Sequence, residues 1–188
     1  MLNIAMSGAL GRMGTQILHL ANESQNYGIV GAFEAESSKQ LGKDIGEVLG
    51  FGKPAGVKIS LVSARALKGC GAMIDFSTPQ GTAECLRAAL GAKTALVIGT
   101  TGIDGALLAQ IRAASKKIPV LFSPNMSLGA NFLFELVRLA ASKLSVDYDV
   151  EVIEAHHRLK KDAPSGTAKK IAEVICEHGR KVKHFSLL

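Results

Sequence analysis

The sequence predicts a doubly wound α/β protein, and three features carry that reading. Up to about residue 124, short apolar runs rich in β-branched residues alternate with longer segments of helical periodicity. The short runs are apolar on both faces, as strands of a parallel sheet covered by helices are. A glycine-rich turn joins the first such run to the first helix. Repeated strand–helix units with right-handed crossovers build a layered domain of this kind.

Taken in order, residues 4–7 read as a buried strand, 12–23 as a helix and 28–34 as the next strand. Residues 35–56 are glycine-rich and weakly periodic, so they are expected to be irregular, with a short helix around 45–49. A strand at 71–77 leads into a helix at 79–90, where Pro79 suits the first turn. A strand at 94–98, a helix at 104–117 and a strand at 119–123 complete the series. The pattern then changes, and a domain boundary is expected between 125 and 126. Residues 128–144 predict one long helix that packs through Phe132, Leu136, Leu139 and Ala140. Residues 149–155 read as a strand running into His156 and His157. In the last helix Ala168, Ile171, Ala172, Ile175 and Cys176 repeat at i, i+3, i+4, i+7 and i+8.

Composition narrows the function classes. Apolar residues make up 47% of the 188 and charged residues 20%, which fits a packed domain and argues against disorder. No apolar run approaches the ~20 residues of a membrane span, and the first residues lack the basic stretch of a signal peptide. Cys70, Cys85 and Cys176 form no metal-ligand or CxxC spacing, so no metal and no disulfide framework are expected. A reduced, cytoplasmic protein is the resulting expectation. The net charge of +6 raises nucleic-acid binding, but its distribution argues otherwise. Residues 1–150 carry 14 Lys+Arg against 11 Asp+Glu, whereas 151–188 carry 8 against 5 and four of the five histidines. With no Trp and 5% aromatics, stacking platforms for bases are few. A local anion site fits better.

Three motifs can carry chemistry. Gly8-Ala9-Leu10-Gly11-Arg12-Met13-Gly14 lies between the first strand and helix, with Glu34 ending the second strand. Glycines let backbone N–H groups approach a pyrophosphate at a helix N-terminus, and a carboxylate at the second strand can accept from an adenosine ribose. Leu10 stands where the common fingerprint has its second Gly, so the loop alone is a weak signal and a purely structural turn is the bland reading. Gly99-Thr100-Thr101-Gly102 and Ser123-Pro124-Asn125-Met126 follow later strands, where open α/β sheets bind ligands; ordinary turns would look the same. Finally, His156, His157, Arg158, Lys160 and Lys161 precede a helix whose N-cap is Ser165. Cations beside the N–H groups of Gly166 and Thr167 suit a carboxylate ligand, and a solvated basic loop is the alternative.

The strings GALGRMG, IDFSTP, GTTG, SPNMSLGANF and above all EAHHRLKKDAPSGTA resemble the dihydrodipicolinate (4-hydroxy-tetrahydrodipicolinate) reductase family over nearly the whole chain. The resemblance implies a Rossmann-type cofactor domain at 1–125 and a smaller, shortened α/β substrate domain at 126–188. It implies NADH- or NADPH-dependent reduction of a cyclic dicarboxylate on the route to diaminopimelate and lysine. Gly8, Ala9, Leu10, Gly11, Arg12 and Met13 would then cradle the pyrophosphate and Glu34 hold the ribose. Gly99, Thr100 and Thr101 would lie near the nicotinamide, beside Ser123, Pro124, Asn125 and Met126. His156 matches an acid residue, Lys160 a proton donor, and His157, Gly166 and Thr167 the substrate-binding positions. A homo-oligomer, tetrameric in the family, is also implied. Some members have an Arg after the ribose-binding carboxylate; here Ala35 stands there, with Lys39 four residues on, so NADH is favoured over NADPH. Family members continue past the equivalent of Leu188, so a C-terminally shortened chain is expected. A non-catalytic dinucleotide-binding protein of the same lineage is the alternative.

Overall fold

The computed structural model describes residues 1–123, 125–144, 147–156, 164–178 and 182–187, the last through its backbone. The chain divides into two compact units, Met1–Pro124 and Asn125–Leu188.

The first unit contains β1 (Leu2–Ser7), α1 (Arg12–Glu23), β2 (Tyr27–Phe33), α2 (Ile45–Leu49), β3 (Ile59–Ser60) and β4 (Ala72–Asp75). It continues with α3 (Pro79–Ala92), β5 (Ala95–Ile98), α4 (Gly105–Ala114) and β6 (Val120–Phe122). The six strands form one parallel sheet in the order β3-β2-β1-β4-β5-β6. That order reverses between β1 and β4, the switch point at which such sheets bind ligands. Alternate residues of β1 enter opposite cores, as the two-residue strand period requires. Met6 packs with Ala9, Leu18, Ala32, Ile45 and Ile59, whereas Ala5 joins Met73, Leu86, Leu96 and Ile98. Helix starts follow from capping: Thr78 accepts from the Gly81 N–H at 3.1 Å and Asp104 from the Leu107 N–H at 2.7 Å.

The expected irregular stretch owes its order to Asp44. Its Oδ1 accepts from the N–H of Gly46 at 2.8 Å and of Ala55 at 2.7 Å, and its Oδ2 from Val57 at 3.1 Å. One carboxylate thus caps α2 and pins the loop after it. The Ala55 N–H, with the other amides, lowers its pKa despite the opposing cost of desolvation. The two-residue β3 was not expected from the sequence; it is too short to show a period.

The second unit contains α5 (Leu128–Lys143), β7 (Val150–Glu154), α6 (Gly166–Cys176) and β8 (Val182–Leu187). β7 and β8 pair in parallel, and α6 connects them. Val152, Ala168 and Ile175 form the core with Val137, Val150 and Ile171. The packing face of α5 differs from expectation: Phe134 and Ala141 are buried, while Phe132 is 62% exposed and Leu136 and Leu139 are also exposed. The helix is apolar around much of its circumference, so periodicity admits two faces, and Phe134, Val137 and Ala141 are the set turned inward. Cys176 also differs, being exposed, because Val174 and Ile175 supply the buried end of α6. Strand β8 was not expected at all. Among the described residues no helix is long and apolar enough to cross a membrane.

Candidate functional site

The glycine-rich turn sits at the carboxyl end of β1. Gly8 has a φ of 71°, and a side chain on it would strike the Phe76 carbonyl. A side chain on Gly14 would strike the Gly8 carbonyl, so this glycine lets α1 close onto its own loop. The loop amides are largely spoken for. Gly8 and Ala9 donate to the Phe33 carbonyl at 3.0 and 3.2 Å, and Gly11 donates to the Gly8 carbonyl at 3.0 Å. Leu10 N–H donates to Oε1 of Glu34 at 2.7 Å. Gly11, the N-cap of α1, has no side chain to offer, so the amides of Arg12 and Met13 point out of the helix start without a cap. Among the described residues, these two amides and Oε2 of Glu34 are open to a ligand.

A cleft of about 1180 Å³ opens here, bounded by Gly8, Gly11, Glu34, Ala35, Leu61 and Thr78. Its rim carries Glu36 and Glu84 as well as Glu34, against one cation, Arg87, among the described residues. Lys39 is exposed and does not line it.

Beside the cleft, Asp75 at the end of β4 is fully buried. Its carboxylate accepts from Ser77 Oγ at 2.5 Å, Thr82 Oγ1 at 2.5 Å, Thr100 Oγ1 at 3.1 Å and the Ser77 N–H at 3.2 Å. Thr100 Oγ1 also accepts from the Ser77 N–H at 3.0 Å. This network fastens the loop after β5 to the start of α3. The hydroxyl of Thr100 is thereby used internally, whereas Thr101 is exposed. Burial, then the Asp75 charge, pushes the Cys85 thiol up to about 12, so that cysteine is packing material.

The second unit gathers a different set. Glu154, the last residue of β7, accepts from the Ser165 N–H through Oε1 at 2.9 Å and Oε2 at 3.3 Å. Its Oε2 also lies 2.9 Å from His156 Nε2. Ser165, with His156, lowers the Glu154 pKa to about 2. Ser165 is the N-cap of α6, accepting from the Ala168 N–H at 3.1 Å. Gly166 is exposed, and among the described residues outside its own helix and chain neighbours none lies within 4 Å of where its side chain would begin. Thr167 is half-buried one residue on. Asn125 accepts from the Ser127 N–H at 2.9 Å and, through its carbonyl, from Asn131 at 3.0 Å, which fixes the start of α5; Met126 is exposed. His157, Lys160 and Pro124 lie outside the described residues, as do Arg158 and Lys161.

Residues 2–126 match the family model for the dihydrodipicolinate reductase N-terminus, and residues 129–186 match that for its C-terminus. The chain belongs to the dihydrodipicolinate reductase family. Among its relatives, the 4-hydroxy-tetrahydrodipicolinate reductase of Anaeromyxobacter dehalogenans is 45% identical over 177 residues, 94% of this chain and 65% of that one. The enzyme of that name from Cupriavidus pinatubonensis is 43% identical over 183 residues, 97% of this chain and 68% of that one. The chain therefore spans about two thirds of the length of the relatives it matches. Dipicolinate-bound dihydrodipicolinate reductase from Paenisporosarcina sp. TG-14 superposes with a TM-score of 0.75 at 26% identity, over 100% of this chain and 79% of that one. Amine dehydrogenase from Mycobacterium smegmatis, at 15% identity and TM-score 0.64, shares the fold.

Two carboxylates that organise these sites, Asp75 and Glu154, are not among the residues that the sequence motifs single out. Asp75 could have been found as a carboxylate inside the apolar run Ala72-Met73-Ile74-Asp75-Phe76. Glu154 could have been found as the carboxylate that ends a strand two residues before His156.

Proposed function

We propose that this chain performs the pyridine-nucleotide-dependent reduction of 4-hydroxy-tetrahydrodipicolinate to tetrahydrodipicolinate, in diaminopimelate and lysine biosynthesis. The observation that carries the reading is the match to both halves of one reductase family, at 43% and 45% identity to enzymes of that activity. The cofactor fits the first unit: the uncapped amides of Arg12 and Met13 suit the diphosphate, and Glu34 at the cleft suits the adenosine ribose. When bound, the dinucleotide would supply a hydride to the conjugated imine that remains once the 4-hydroxyl has left as water. Gly99, Thr100, Thr101, Ser123, Pro124, Asn125 and Met126 are assigned to its nicotinamide end.

The chain's own residues supply the rest. The substrate is a dianion, and the amides of Gly166 and Thr167 at the start of α6 can hold one carboxylate without a side chain in the way. His157 is assigned to the same substrate. Reduction leaves electron density on the ring, which an acid must protonate. Lys160 is assigned that proton, and its charge offsets that of the substrate. His156 is assigned as the acid residue beside it. We assign residues 1–125 to cofactor and residues 126–188 to substrate.

The preferred cofactor in this reading is NADH. A 2′-phosphate would meet Glu34 and Glu36 at the rim, with Ala35 offering no cation. Titration should give tighter binding of NADH than of NADPH, and Ala35→Arg should narrow the difference; a clear NADPH preference in the native chain would overturn this assignment. A homo-oligomer belongs to the proposal, supported by exposed Phe132, Leu136, Leu139 and Ile153 in the second unit, and light scattering reads it. A cytoplasmic site is supported by three unpaired cysteines.

A further inference from the structure

We propose that Glu154 is a positioning residue that fixes the tautomer of His156 and seats its ring against the start of α6. The proposal rests on the assignment of His156 as an acid residue, but its geometry stands apart from it. Glu154 ends β7 with its side chain only 12% exposed. Each of its oxygens already has a partner: Oε1 takes the Ser165 N–H at 2.9 Å and Oε2 lies 2.9 Å from His156 Nε2. An ionised carboxylate can only accept, so Nε2 must carry the proton of that bond. The low pKa of about 2 keeps Glu154 in its accepting form through the neutral range. In the neutral ring, Nδ1 is then left as the bare nitrogen, and in the charged ring it holds the proton available for transfer. One side chain therefore sets which ring nitrogen faces chemistry. It also ties that ring to Ser165, the cap of the helix whose first amides are assigned to the substrate carboxylate.

Glu154→Gln separates these roles. Its amide oxygen can keep the Ser165 N–H, and its NH2 would then face Nε2 as a donor. The bare nitrogen would become Nε2, inverting the tautomer while leaving the helix start in place. The test is 15N NMR of the histidine rings in the full chain at a pH where imidazole is neutral, with His156→Ala assigning the signals. Native His156 should be the Nε2–H form, and Glu154→Gln should shift it to Nδ1–H. Substrate turnover should fall on the order of 10²-fold with NADH affinity unchanged, and adding Glu154→Gln to His156→Ala should cost nothing further. A native ring in the Nδ1–H form overturns the proposal without any variant, and so does an unchanged tautomer in Glu154→Gln. If the tautomer inverts while His156→Ala keeps full turnover, Glu154 still positions the ring and it is the acid assignment that fails.

Discussion

Two buried or shielded carboxylates hold the elements around them in place. Asp75 satisfies three hydroxyls and one amide in a site closed to water, so removing it strands donors that cannot be rehydrated. Asp75→Ala should destabilise the protein by about 3 kcal/mol, read by denaturant unfolding, and should weaken NADH binding by releasing the loop at Thr100. Glu154 gives a pH signature. Its pKa falls from an ordinary 4.5 to about 2 in the folded chain, so the unfolded state binds the proton more readily. Its contribution is complete above pH 4.5 and is lost as the pH falls toward 2. Thermal melts should therefore show a drop in stability across that window, smaller in Glu154→Gln. An identical acid profile in the two proteins would remove Glu154 as its source.

At the scale of elements, capping and burial decide what a substitution costs. Phe134 is 7% exposed and Phe132 is 62% exposed on the same helix. Phe134→Ala should cost about 3–5 kcal/mol, whereas Phe132→Ala should stay within about 0.5 kcal/mol in the monomer; equal losses would contradict the observed face of α5. In Gly166→Val the new Cβ would have none of the described residues outside its own helix within 4 Å, so the fold should survive, but the added side chain would occupy the space assigned to the substrate carboxylate. Its expected signature is a raised substrate KM with near-native melting. The elements that were readable have a period or a cap in their own residues: Pro79 after Thr78, Ser165 before an apolar i, i+3, i+7 set. What was not readable depends on partners distant in sequence. The pinning of the 35–56 stretch needs Asp44 to reach Val57, and the choice between two apolar faces of α5 is made by the elements that pack on it.

For the molecule as a whole, the sheet order β3-β2-β1-β4-β5-β6 puts the turn after β1 at its switch point and places Glu34 beside it. The motif positions of this site were visible in the sequence. What the loop amides do was not, since most are bound internally and the groups left for a ligand move to Arg12, Met13 and one oxygen of Glu34. The second unit supplies a histidine and a helix start held by one carboxylate, and a reductase reading requires both units to act on one reaction. The most direct test follows NADH absorbance with freshly generated 4-hydroxy-tetrahydrodipicolinate, in the native chain and in Lys160→Ala. NADH loss should depend on that substrate and fall on the order of 10²-fold or more in the variant, with NADH affinity preserved. No substrate-dependent loss in the native chain, or equal rates in the two, would contradict it.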